Sequence, residues 1–506
     1  MINLTPEHAI QIAFIIPLVG FATIWFAAKS SDNLREAATL TTGVSLFFVV
    51  LGLFGFVASG ERPEWSAFDI LPGVPLAFRI EPLGALFALI ASGLWIVNSL
   101  YSIGYMRGNK EKHQTRFYMS FAVAIASAIG VAFAANLLTL FIFYEVLTLS
   151  TFPLVTHKGD EKARKGGRIY LGILMGTSIG LLLPAIVWTY AIAGTTDFAV
   201  GGILAGKVDE AGPVLPLLLA LFAFGIGKAA LMPAHPWLPN AMVAPTPVSA
   251  FLHAVAVVKA GVFSVLKIVV YVFGIDLLAD TGASDLLAWV AGGSIILASA
   301  IAMTQDNLKA RLAYSTVSQL GYVTLGAMLA TQMGVMGGAQ QIAMHALGKM
   351  TLFMCAGAIY TAAHKSNISE MAGLGRVMPL TFGLFFIGAC SIIGLPPLGG
   401  AWPKFFLMLG SADAGQQMLI FVLMISSVMN VLYLLPIPIR AFYLAPDGRA
   451  GANEDGKGRA LIQWNELKEA PLFCLLPPTI TAIGCLILFF LGGALYNFLL
   501  PILGGA

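Results

Sequence analysis

Charge is what this chain has least of. Only 10% of its 506 residues are Asp, Glu, Lys or Arg, against about 25% in soluble globular domains. A soluble enzyme of this length would need a charged surface that these residues cannot supply. A net charge of +3, spread over short loops, makes no patch for nucleic acid. Cysteine is scarce too. Cys355, Cys390, Cys474 and Cys485 stand singly in apolar runs, without the spacing of a zinc, haem or iron–sulfur site, and read as small hydrophobes. Neither a metal nor a cofactor is expected. The N-terminal MINLTPEHAIQIAFIIP lacks the basic start and small-residue cleavage site of a secretory signal, so it reads as the approach to a first, retained helix.

Hydrophobic residues make up 58% of the chain. A spanning helix needs roughly 20 mainly apolar residues, which places spans near residues 9–28, 38–59, 82–105, 116–134, 136–156 and 168–193. An interrupted seventh follows at about 214–245, then 248–273, 285–303, 309–330 and 334–362. A second interrupted span covers about 377–412, and the last two lie near 416–440 and 471–499. The expectation is an all-α polytopic membrane protein of about fourteen transmembrane helices, one membrane domain over residues 1–506.

Alternate loops differ in charge. One set holds Lys29, Arg35, Arg107, Lys110, Lys112 and Arg116, then the run from Lys158 to Arg168, Lys309, Arg311, Lys365, Arg376 and Arg440. Arg449, Lys457, Arg459 and Lys468 complete it. The other set holds Arg62, Arg79 and Lys207 among acids such as Asp276, Asp280, Asp285 and Asp413. Basic loops stay in the cytoplasm, which puts both termini on the outer side.

Subtracting the loops leaves Lys228, Lys259, Lys267, Lys349 and Lys404 inside expected spans, with Glu145, His253 and His345. Each charge costs on the order of 2.5–3.5 kcal/mol at a helix centre. Glu145 is the one acid deep in a span. It is either a structural ion pair locking two helices or a charge partner that toggles a lysine's proton affinity. Lys228 precedes Pro233, Pro236 and Pro239, and Lys404 follows Pro396, Pro397 and Pro403. Proline breaks a helix, and two broken helices in corresponding positions point to inverted repeats with a site between them. The repeats would cover helices 4–8 (residues 116–273) and helices 9–13 (residues 285–440), with breaks in helices 7 and 12; snorkelling lysines are the alternative. His345 and Lys349 share a helix face four residues apart, suited to relaying protons near neutral pH. Lys267 lies nearer the outer side and either joins the path or snorkels. His253 and His235 stand between relay and structural hydrogen bonding. From Asp306, DNLKARLAYSTVSQLGYVTLG combines a helix start, where an acid suits the dipole, with a polar stripe, Tyr314 to Gln319 including Ser318, able to hold water.

The stretches AHPWLPNAMVAPTPVSAFLHAVAVVKAGVF, LKARLAYSTVSQLGYVTLG, HALGKMTLF and GLPPLGGAWPKFF resemble the antiporter-like subunits shared by respiratory complex I, membrane-bound hydrogenases and multisubunit Mrp-type cation/proton antiporters. The likeness covers roughly residues 80–440, and the length is most like that of the D-type Mrp subunit. It implies fourteen helices with two inverted five-helix bundles. By motif, Glu145 and Lys228 match a gating ion pair on helices 5 and 7, Lys259 the central lysine of helix 8, His345 and Lys349 the helix-11 relay, and Lys404 the helix-12 residue toward the far side. Gln341 stands where several relatives have another histidine, and Lys404 is a lysine where some have glutamate. The implied partners are other membrane subunits, protons and a monovalent cation such as Na⁺, in a prokaryotic plasma membrane. A redox-driven complex I-like or hydrogenase-like assembly is the second reading, a non-conducting scaffold the third.

Overall fold

A computed structural model describes residues 5–444 and 466–504 and is mostly helical, 77%. In lipid a backbone must satisfy itself, which an apolar run achieves as a helix. Among the described residues, eleven helices are long and apolar enough to cross a membrane. They are Pro6–Ala28, Asp32–Ala58, Pro82–Gly108, Gln114–Phe133, Leu137–Val155, Glu161–Ala193, Thr246–Phe273, Asp285–Thr304, Gln332–Ala363, Gln417–Tyr443 and Leu472–Phe490. Leu308–Met328 runs among them with its polar stripe, and Val214–Gly225, Pro379–Ile393 and Gly492–Leu503 are shorter apolar helices. Capping side chains set several starts: Ser31, Asn136, Asp160, Asn307 and Thr331 each accept a backbone N–H three residues on. Asn307, not Asp306, is therefore the cap of its helix; the Asp306 carboxylate accepts from Ser369 N and Oγ instead.

The helices sort by burial. The most apolar stretches of Thr246–Phe273 and Gln332–Ala363 are 100% and 94% buried, against 33% for Pro6–Ala28 and Gln417–Tyr443. Polar residues on the first two therefore face protein, while the outer helices turn side chains such as Phe26, Phe421 and Ile483 outward.

Both expected interruptions are present. The seventh span stops at Gly225, turns once through Gly227–Ala229 and reverses at Ala230 (φ 53°). The twelfth stops at Ile393, turns at Gly394 (φ 91°), and resumes at Ala401. A third discontinuity was not foreseen. The eighth span is two helices, Thr246–Ala254 and Val257–Ile268, broken at Val255 and Ala256.

The all-α expectation needs one amendment, since Glu64–Leu71 and Val74–Arg79 pair as an antiparallel hairpin between the second and third spans. Gly73 (φ 78°) makes its turn, and Trp65 stacks on Phe78 at 5.4 Å. Of the loop bases, Arg35 and Arg376 are buried. Arg35 lies against Glu36 and Gln114, and Glu36 also receives Arg107. Arg449, Lys457 and Arg459 lie outside the described residues.

Candidate functional site

The broken helices bring lysines to the interior and then hold the interrupted backbone. At the seventh break, Tyr144 Oη accepts from Lys228 N at 3.0 Å and Trp237 Nε1 donates to Gly227 O at 2.9 Å. At the twelfth, Gly399 N donates to Cys485 O and Trp402 Nε1 to Phe489 O, at 2.9 and 2.7 Å, so Leu472–Phe490 seals it. These partners meet the demand that irregular backbone at membrane depth be satisfied by neighbouring protein.

Lys228 is wholly buried. Its ammonium donates to Tyr144 O at 2.8 Å and Thr148 Oγ1 at 2.5 Å, and lies 3.1 Å from the Tyr144 ring centre. All of these partners sit on Leu137–Val155, the helix of Glu145. The expected Glu145–Lys228 contact pair is absent among the described residues. Glu145 is close enough to act on Lys228 electrostatically without touching it, and its buried carboxylate oxygens accept no hydrogen bond there. The reason is angular: residues 144 and 148 share the face that meets Lys228, whereas position 145 is turned about 100° from 144.

Lys259 Nζ lies 2.7 Å from His345 Nδ1, joining Val257–Ile268 to Gln332–Ala363. His345 and Lys349 share a face as expected but have different partners. Lys349 donates to Ser315 Oγ at 2.5 Å and Leu312 O at 3.3 Å. Ser315 also accepts from Tyr433 Oη at 2.9 Å, and Tyr433 in turn hydrogen-bonds Asn430. Lys404 donates to Ile393 O at 2.6 Å and Ser427 Oγ at 3.0 Å, with the Tyr322 ring 5.3 Å away. Ser318 Oγ meets Ser299 Oγ at 2.9 Å, and Ser299 reaches Ser426 at 3.4 Å. Gln341 Nε2 donates to Gln319 Oε1 at 2.8 Å, and a narrow gap bounded by these glutamines runs past His345 to Ser391 and Gly400.

Tyr314 is not part of this track; its ring packs 6.2 Å from that of His235. His253 lies on Thr246–Ala254, and its side chain is outside the described residues. Lys267 does not snorkel. It is 1% exposed and lies 3.5 Å from Glu81, so Glu145 is not the one buried acid. The sequence reading missed Glu81, which stands one residue before the third span, and the acceptors Thr148, Ser315 and Ser427. The spacing of Tyr144 and Thr148, one turn apart beside Glu145, was the available signal for the first of these acceptors.

A polytopic bundle with lysines buried at two helix breaks and joined to a histidine across its centre defines a membrane protein built around internal ionisable groups. The chain belongs to the family described as NADH:quinone oxidoreductase/Mrp antiporter, TM, which matches residues 134–430. It is 30% identical over 437 residues to NADH-quinone oxidoreductase subunit N of Desulforudis audaxviator, covering 86% of this chain and 84% of that protein. It is 31% identical to a probable K(+)/H(+) antiporter A/B component of Rhizobium meliloti, over 79% of this chain but 40% of that protein. Its fold matches a chain of the Mrp complex from Dietzia sp. DQ12-45-1b with a TM-score of 0.84 at 20% identity, covering 99% and 97% of the two chains. A chain of the membrane-bound sulfane sulfur reductase, an archaeal respiratory membrane complex, matches with a TM-score of 0.83 at 21% identity over 98% and 97%.

Proposed function

We propose that this chain is a proton-translocating subunit of a multisubunit monovalent cation/proton antiporter. Protons enter at Glu145 and Lys228, cross through Lys259 to His345 and Lys349, and leave past Lys404. The observation that carries this reading is the 2.7 Å contact between Lys259 Nζ and His345 Nδ1. It places two groups that can each hold or give up a proton within transfer distance, on helices from the two halves of the chain.

The two halves are themselves proposed to be inverted repeats over residues 116–273 and 285–440. In support, Lys228 and Lys404 each end beside a backbone carbonyl, a hydroxyl and a tyrosine ring. The two rings, Tyr144 and Tyr322, lie on the second helix of each proposed repeat. The basic loops face the cytoplasm of a prokaryotic plasma membrane in this reading, with both termini outside. Na⁺ is a candidate exchanged cation, and other membrane subunits are the partners.

The assembled complex in proteoliposomes tests the path. Lys228→Ala or Glu145→Ala abolishes cation-driven proton exchange while the subunits still co-purify. Near-wild-type exchange by an assembled Glu145→Ala complex removes the mechanism. A second reading, a proton-pumping subunit of a complex I-like oxidoreductase, is favoured by the 84% coverage of the subunit N relative. Co-purifying chains that carry iron–sulfur centres would select it.

A further inference from the structure

A second buried charge pair lies apart from the six pathway residues, at the face that carries the hairpin. Lys267 Nζ stands 3.5 Å from Glu81 Oε2, with side-chain exposures of 1% and 9%. The ammonium also donates to Ala134 O at 2.7 Å, and the rings of Phe198, Phe263 and Tyr271 are centred 4.7, 5.7 and 5.9 Å from it. Glu81 makes no side-chain cap at the start of Pro82–Gly108, and its Oε2 receives no hydrogen bond of good geometry among the described residues.

As a clasp this pair is poorly built. A buried ion pair recovers its desolvation cost only with excellent geometry and saturated hydrogen bonds, and neither holds here. The position is better suited to exchange. Lys267 lies two turns beyond Lys259 on the same run of helix, roughly 12 Å along its axis. Glu81 follows directly on the hairpin, whose Arg79 reaches solvent with Glu64 at 2.9 Å and exposures of 28% and 62%. The charged and titratable groups facing the pair are Arg79 from the hairpin, Arg62 ahead of it, and Tyr271 from the helix of Lys267.

We propose that Glu81 and Lys267 form a proton-exchange station that opens the pathway to the hairpin face. The proposal rests on the proton-translocating reading above. A proton passes from the Lys267 ammonium to the Glu81 carboxylate, leaving amine and carboxylic acid. The station stays neutral throughout that step, so low dielectric does not oppose it. Glu81 then gives its proton to water beside the hairpin. The Lys267 amine takes the next one from the Lys259 ammonium through intervening water, which restores the ion pair. One proton enters and one leaves per cycle.

The test uses the assembled complex in proteoliposomes with Glu81→Gln, Lys267→Met, the double variant Glu81→Gln/Lys267→Met, and Lys228→Ala as reference. The double variant removes both charges together, so a mere clasp is replaced by neutral packing and flux survives. A transfer station instead loses at least about tenfold in proton flux, within the usual worth of a placed acid–base group, in the singles and the double alike. Wild-type flux in the double variant beside an inactive Lys228→Ala complex overturns the station and leaves the main path standing. Flux retained by Lys228→Ala removes both. If the neutral variants fail to assemble, Glu81→Asp keeps the charge and shortens the reach. The station then shifts the pH profile of flux, and an unchanged profile overturns it.

Discussion

Lys228, Lys259, Lys349 and Lys404 are buried, and among the described residues none touches a carboxylate. Each is met by a backbone carbonyl, a hydroxyl or an imidazole: Thr148 for Lys228, His345 for Lys259, Ser315 for Lys349, Ser427 for Lys404. A carboxylate would hold the ammonium form. A hydroxyl can accept from an ammonium or donate to an amine, so these surroundings tolerate both protonation states. Thr148→Val and Ser315→Ala are therefore expected to lower proton flux several-fold with assembly intact, and Thr148→Ser to restore it; flux assays on purified complexes decide this. Tyr144→Phe leaves Lys228 N–H without its acceptor, and an unsatisfied buried donor costs about 1–3 kcal/mol, readable as a lowered melting temperature. The lysines themselves were legible in the sequence because their insertion cost is. Their partners were not, because cost marks a residue as expensive without saying which neighbour satisfies it. Glu145 and Lys228 show the gap: both were identified, and their direct contact was wrongly expected.

At the scale of elements, the breaks marked by proline were legible, and those without it were not. Nothing in AVAVV announces that the eighth span is interrupted at Val255 and Ala256, where the backbone turns without proline or glycine. The hairpin was hidden in an outer loop too short to read as a sheet. Close approach of backbones at the seventh break depends on Gly261, where any Cβ would collide with the backbone of Lys228 and Ala229. Gly261→Ala is expected to displace Lys228 and lower both melting temperature and flux, while Gly293→Ala, which meets open space, changes neither. The loop after Leu137–Val155 supplies a pH test. Burial, helped by Arg116, pushes the His157 imidazole down to about 4, below its ordinary value near 6.5. The unfolded chain therefore takes up a proton there that the folded chain refuses, and stability falls as pH drops from about 6.5 toward 4. His157→Phe, which keeps a ring against Phe117, should flatten that part of the melting profile.

For the whole molecule, the proposed path is serial: a proton using Lys228 must also pass His345 and Lys404. The double variant Lys228→Ala/Lys404→Ala is then expected to be no slower than the slower single variant, as measured by flux in matched vesicles. Two independent conduits would instead lose activity additively. The proposed halves are alike in their lysine sites and unlike in their acids. Glu145 follows Tyr144, whereas Val323 follows Tyr322, so only the first half carries a carboxylate to bias its lysine. That difference gives a duplicated device two distinguishable ends. Lys349 stands near the middle of the 32-residue helix Gln332–Ala363, the longest in the described chain. An elementary charge crossing a whole membrane exchanges about 2.3 kcal/mol per 100 mV. A proton resting at Lys349 has crossed roughly half of that drop. Its occupancy is thus set jointly by the acidity of the two compartments and by the voltage between them, which makes the centre of this helix an electrometer as well as a relay.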